Sequence, residues 1–111
     1  MTAPPAPPGL DAPILRRLRQ ELERRYGERL ARLILFGSRA RGDAQPDSDW
    51  DVAVVLKGYD GNLEEVSLLS DLGFDLMLET GAVLSLLPFS PEALAERTLF
   101  THNLREEGVA F

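Results

Sequence analysis

Leu35-Phe36-Gly37-Ser38-Arg39-Ala40-Arg41-Gly42, running on through Asp43-Ala44-Gln45-Pro46-Asp47-Ser48 to Asp49-Trp50-Asp51, is the stretch that decides how this chain is read. It begins inside an apolar run, Leu30 to Phe36, broken only by Arg32 and rich in branched residues, which predicts a buried strand. Gly37 and Ser38 follow at once. A glycine and a serine directly after a strand make a tight turn with exposed backbone N–H groups and a hydroxyl, a combination suited to phosphate oxygens. Asp49 and Asp51 stand two apart at the start of the next strand, so their side chains leave one face roughly 6.6 Å apart along the chain. Like charges on one strand face repel, and acids are depleted in strands, so the pair invites a hard divalent cation held by both carboxylates. Trp50 between them points to the other side and packs as core.

Working outward, Asp49 to Leu56 becomes continuously apolar from Val52 and predicts a second strand lying in the sheet. Upstream, Asp11 is the expected cap of a helix that starts near Pro13. Leu15, Leu18, Leu22 and Tyr26 form its apolar stripe, and Gly27 ends it. Downstream, Asn62 and Glu65 have the spacing of a capping box. Val66, Leu69, Leu72, Leu76 and Met77 continue a helical stripe to Gly81. Ala82 to Leu87 predicts a third strand ending before Pro88. Ser90 and Pro91 open a last helix through Leu94, Leu99 and Leu104 to Gly108, with Val109 to Phe111 as an extended tail. The order helix, strand, loop, strand, helix, strand, helix predicts an α/β (α+β) domain with a small mixed sheet and helices mainly on one face.

Composition narrows the setting. The chain has 111 residues, enough for one core, with 44% apolar and 27% charged residues and no run near the roughly 20 apolar residues that span a bilayer. No membrane association is expected, and without an export signal a cytoplasmic setting fits. Residues 1–13, with five prolines, read as a stiff, disordered lead to a domain over residues 14–111. The chain has no cysteine, so any metal must be held by oxygen or imidazole. Residues 1–42 carry nine arginines against four acids, while residues 43–111 carry three bases against fourteen acids, so +5 faces −11 within the net charge of −6. Long nucleic acid is repelled by the acidic part, whereas one triphosphate with its cation is more easily accommodated.

Gly37-Ser38, ten intervening residues, then Asp49-x-Asp51 resembles the signature of the nucleotidyltransferase superfamily whose fold is shared with DNA polymerase beta, and the small size resembles its minimal members. The similarity also takes in Ser48, Arg39 and Arg41 in the loop, and the ending Arg105-Glu106-Glu107-Gly108-Val109. It implies that Gly37 and Ser38 hold the triphosphate of ATP or another nucleoside triphosphate, and that Asp49 and Asp51 are the catalytic and metal-binding pair for Mg2+ or Mn2+. Nucleoside monophosphate is then transferred to an acceptor hydroxyl and pyrophosphate released. Arg39 and Arg41 are candidates to neutralise phosphate charge, or else solvated loop residues. The resemblance further implies a partner, a helical toxin of the HEPN type, which such proteins restrain by AMPylation or by binding alone as antitoxins.

The chain departs from the family at one point. A third carboxylate belongs on the strand after the second long helix, and Ala82-Val83-Leu84-Ser85-Leu86-Leu87 has none. Ser85 stands in its place, with Glu79 and Asp75 as nearby substitutes. That absence favours the antitoxin-like binding reading over strong catalysis. His102 reads as a surface or capping residue, and Leu99 with Phe100 as core or as a partner-facing patch.

Overall fold

The computed structural model describes residues 12–111; the Asp11 cap and most of the proline-rich lead lie outside the described residues. The first helix, α1, runs Pro13–Tyr26 from Ala12, whose side chain caps nothing, with Pro13 at the first helical position. Ile14, Leu15, Leu18 and Leu22 form its buried stripe, while Arg24 and Arg25 reach back to Glu21. A single 3-10 turn, Gly27–Arg29, leads into strand β1, Leu30–Phe36. A one-turn helix, α2, Ser38–Arg41, then precedes β2, Trp50–Leu56. The long helix α3 spans Leu63–Thr80 and β3 spans Leu84–Phe89. Two short helices, α4 (Pro91–Leu94) and α5 (Leu99–Glu107), and the two-residue β4 (Val109–Ala110) complete the chain.

The sheet order is β3-β2-β1-β4. β1 pairs antiparallel with β2 and β4, and β2 pairs parallel with β3, so the sheet is mixed, as expected. Alternation along the strands divides the core. Leu33, Leu35, Val52, Val54 and Leu86 face α1 and α3, whereas Ile34, Ala53 and Val55 face α5 through Leu104. The two long helices thus cover one face and a short one covers part of the other. On that second face the strand registers set up three rows: Ser85, Asp51 and Phe36; then Leu87, Ala53 and Ile34; then Phe89, Val55 and Arg32.

Several details depart from the sequence reading. The Asn62 side chain accepts from the Glu65 N–H at 2.8 Å, but the Glu65 carboxylate does not close a capping box. It is buried instead, accepting from the Tyr26 hydroxyl at 2.8 Å and pairing with Arg29 at 3.2 Å, which ties α3 to the end of α1. The third strand begins two residues later than expected and runs through Pro88. β3 is an edge strand, where the missing proline N–H costs no ladder bond. The expected C-terminal helix is broken after Leu94, because Thr98 starts a new helix: its side chain and that of Thr101 accept each other's backbone N–H. The extended tail pairs with β1 as β4.

Candidate active site

Gly37 has φ 74 and ψ −158, a conformation that suits glycine alone. Its missing side chain has a second consequence. A Cβ built there would lie 2.4 Å from Oδ2 of Asp51, so the turn after β1 sits directly against that carboxylate. This is what brings the two halves of the motif together: Phe36 is the register partner of Asp51, and one residue further the glycine backbone closes over it. From Gly37 the chain winds into α2, whose first N–H groups, those of Ser38 and Arg39, have no acceptor within the helix. Gly42 ends the turn with φ 86.

Asp51 is half-buried and Asp49 exposed. Burial, and after it the neighbouring Asp49 carboxylate, push the Asp51 carboxyl above its ordinary range, and Arg41 opposes the shift. Arg41 is held over the site by Asp43 at 3.2 Å and by Glu107, at the end of α5, at 3.4 Å. Gly37, Asp49, Asp51 and Arg41 therefore converge, with Ser38 on the turn between them.

Arg39 goes elsewhere. Its guanidinium donates to the carbonyl oxygens of Ser48 at 2.9 Å and Pro46 at 3.1 Å and lies 4.3 Å from the centre of the Trp50 ring. Trp50 is buried in the core under α1 and α3, so Arg39 braces the 42–49 loop from the face opposite Asp51. Of the two loop arginines, Arg41 is the one whose charge acts on Asp51.

Ser85 is the β3 register partner of Asp51, which puts it on the same face in the same row. The substitutes do not reach it. Glu79 pairs with Arg17 of α1 at 3.0 Å, and Asp75 is exposed on α3, which covers the other face of the sheet. Among the described residues no three His, Cys, Asp or Glu side chains cluster as a metal site. The two aspartates nevertheless suit a hard cation. The Asp49 carboxylate raises the cost of charge on Asp51, and a divalent ion between them would relieve it.

An aromatic wall stands behind this row. Phe100 of α5 meets Phe36 edge-on at 5.6 Å and stacks on Phe89 at 5.4 Å, spanning from the Asp51 row to the Val55 row. Ala53 between them is fully covered. Phe36 is the register partner of Asp51, so the ring cluster begins beside that carboxylate. Strand alternation places Phe36 on this face, but no sequence signal pairs it with Phe100.

Residues 15–106 match the nucleotidyltransferase domain family, and the chain belongs to that family. It is 34% identical over 89 residues to a protein of Methanocaldococcus jannaschii provisionally named a protein adenylyltransferase, covering 78% of this chain and 83% of the relative. Among solved structures, a toxin-antitoxin complex with AMP-PNP superposes with a TM-score of 0.60 at 21% identity, covering 85% of this chain and 69% of the other. A mutant of the toxin-antitoxin MntA-HpeT gives 0.59 at 18%, again over 85% and 69%. A protein of Sulfolobus solfataricus, provisionally described as a nucleotidyltransferase, gives 0.54 at 21%, over 88% and 76%. These likenesses establish the fold.

Proposed function

We propose that this chain transfers AMP from ATP to a hydroxyl group of a partner protein, a helical toxin of the HEPN type. The observation that carries the reading is the closeness of the Gly37 backbone to Asp51, which supports a phosphate-binding role for the N–H groups of the turn beside the paired carboxylates. The name of the archaeal relative and the toxin-antitoxin neighbours support the acceptor class.

Each residue then has a task. The N–H groups of Ser38 and Arg39, with the Ser38 hydroxyl, hold phosphate oxygens at the turn. Arg41 offsets their charge, swinging from Asp43 and Glu107. Asp49 and Asp51 would hold Mg2+ or Mn2+, which supplies charge stabilisation to both the attacking and the leaving oxygens. The acceptor oxygen bonds to the α-phosphorus as that phosphorus loses its bond to the bridging oxygen. Pyrophosphate leaves, and the acceptor proton is released.

A second reading, an antitoxin that acts by binding with weak or no transfer, is favoured by Ser85 standing where a third carboxylate belongs. One experiment separates the two. The chain is incubated with ATP, Mg2+ and a helical toxin encoded beside it, and the intact mass of the toxin is measured. Addition of AMP, lost in Asp51→Asn, supports transfer. A stable complex of unchanged mass supports binding alone, and neither outcome refutes both.

A further inference from the structure

The break between α4 and α5 opens a cavity of about 480 Å³ on the α5 face of the sheet, within the roughly 300–1,000 Å³ range of small-ligand sites. Its apolar lining is made by Ile34, Val55, Leu94 and Leu104, and its charged lining by Arg32 and Arg105. No acid lines it, although residues 43–111 carry fourteen. Arg105 donates from Nη1 to the Leu94 carbonyl at 3.0 Å, which fixes its guanidinium and leaves its remaining N–H groups for another acceptor. Arg32 is exposed in the third row of that face and, among the described residues, has no hydrogen-bond or ion-pair partner. The arginines of α2 and α5, by contrast, each have one.

We propose that this cavity binds a small monocarboxylic acid with an apolar body, its carboxylate taken by Arg32 and Arg105 and its hydrocarbon laid on Ile34, Val55, Leu94 and Leu104. A planar guanidinium fork matches a carboxylate in two parallel hydrogen bonds. The branched aliphatic floor offers a polar head group nothing but rewards a hydrocarbon with burial. The cavity lies away from the Gly37–Asp51 contact: Asp51 and Val55 are four residues apart on β2, roughly 13 Å. The ligand does not compete with nucleotide, and the proposal stands or falls apart from the one above.

Octanoate is the probe. It is titrated into the whole chain carrying ¹³C-labelled Ile, Val and Leu methyls, with 1-octanol as the uncharged counterpart. Octanoate is expected to shift the methyls of Ile34, Val55, Leu94 and Leu104 saturably. Arg32→Gln, an exposed position that leaves the fold intact, weakens binding by about tenfold or more, and octanol binds about as weakly as octanoate does to that variant. Equal affinity of octanoate for the wild type and Arg32→Gln, equal binding of octanol, or no saturable shift up to millimolar octanoate overturns the assignment.

Discussion

Replacing Gly37 by alanine incurs two separate costs that the structure allows to be divided. The first is conformational: at φ 74 and ψ −158 an L-residue is strained, which costs on the order of 1–3 kcal/mol. The second is steric and aimed at one atom, since the new Cβ would stand 2.4 Å from Oδ2 of Asp51 and 3.3 Å from its Cγ. The carboxylate has to move, and with it the cation site. For a domain of this size each kcal/mol lowers the unfolding midpoint by roughly 4–8 °C, so Gly37→Ala should lose roughly 5–20 °C. The assay is thermal unfolding followed by circular dichroism, with and without Mg2+ and AMP-PNP, in the wild type, both single variants and the double variant with Asp51→Ala. Removing the carboxylate relieves the clash but not the backbone strain. The cost of Gly37→Ala should therefore fall by about 1 kcal/mol in the Asp51→Ala background, a coupling of the size that contacting residues show. The stabilisation by ligand should vanish in Gly37→Ala. An identical penalty in both backgrounds, with the ligand response intact, would refute the reasoning.

Three further outcomes are expected. Asp51→Asn should leave the ligand-free protein as stable or more so at neutral pH, because it removes a carboxylate whose charged form burial and Asp49 disfavour; melting curves of the metal-free protein decide it, and a large loss speaks against the assignment. Ser85→Asp, in register with Asp51, should lower the midpoint without ligand yet enlarge the rise given by Mg2+ and nucleotide; an equal loss in all conditions would place position 85 outside the cation site. Tyr26 is pushed up to about 12 by burial and by its hydrogen bond to Glu65, so the folded state holds this proton more tightly than the unfolded chain. The stabilisation is complete below about pH 10 and is lost as pH rises from there to about 12, a fall that urea midpoints should show in the wild type and find reduced in Tyr26→Phe.

How much of this was legible in the sequence depends on whether the signal was local. The bounds of α3 follow from Asn62 and Gly81, and β1 from a branched apolar run stopped by glycine, because caps and strand ends are set by neighbouring residues. The site's core was legible for the same reason: the turn and the two carboxylates lie within the single stretch 37–51. Long-range choices were not. Arg39 and Arg41 sit two apart in the same loop, yet one turns to Trp50 and the other to Asp51 and Glu107, a division set by which face of the sheet each meets. The helix break at Thr98 was missed because its capping box pairs two threonines rather than a threonine and a glutamate. Glu65 matched the box pattern, but Tyr26, 39 residues earlier, claims its carboxylate.

The central claim is that nucleotide and cation meet where the Gly37 backbone touches Asp51. Isothermal titration of AMP-PNP into the wild type and Asp51→Asn, each with Mg2+ and with chelator, tests it most directly. One saturable site is expected in the wild type with Mg2+, weakened by about tenfold or more either by the chelator or by the substitution, with no further loss when both are combined. Binding of equal strength in Asp51→Asn, or binding indifferent to Mg2+, would contradict the account.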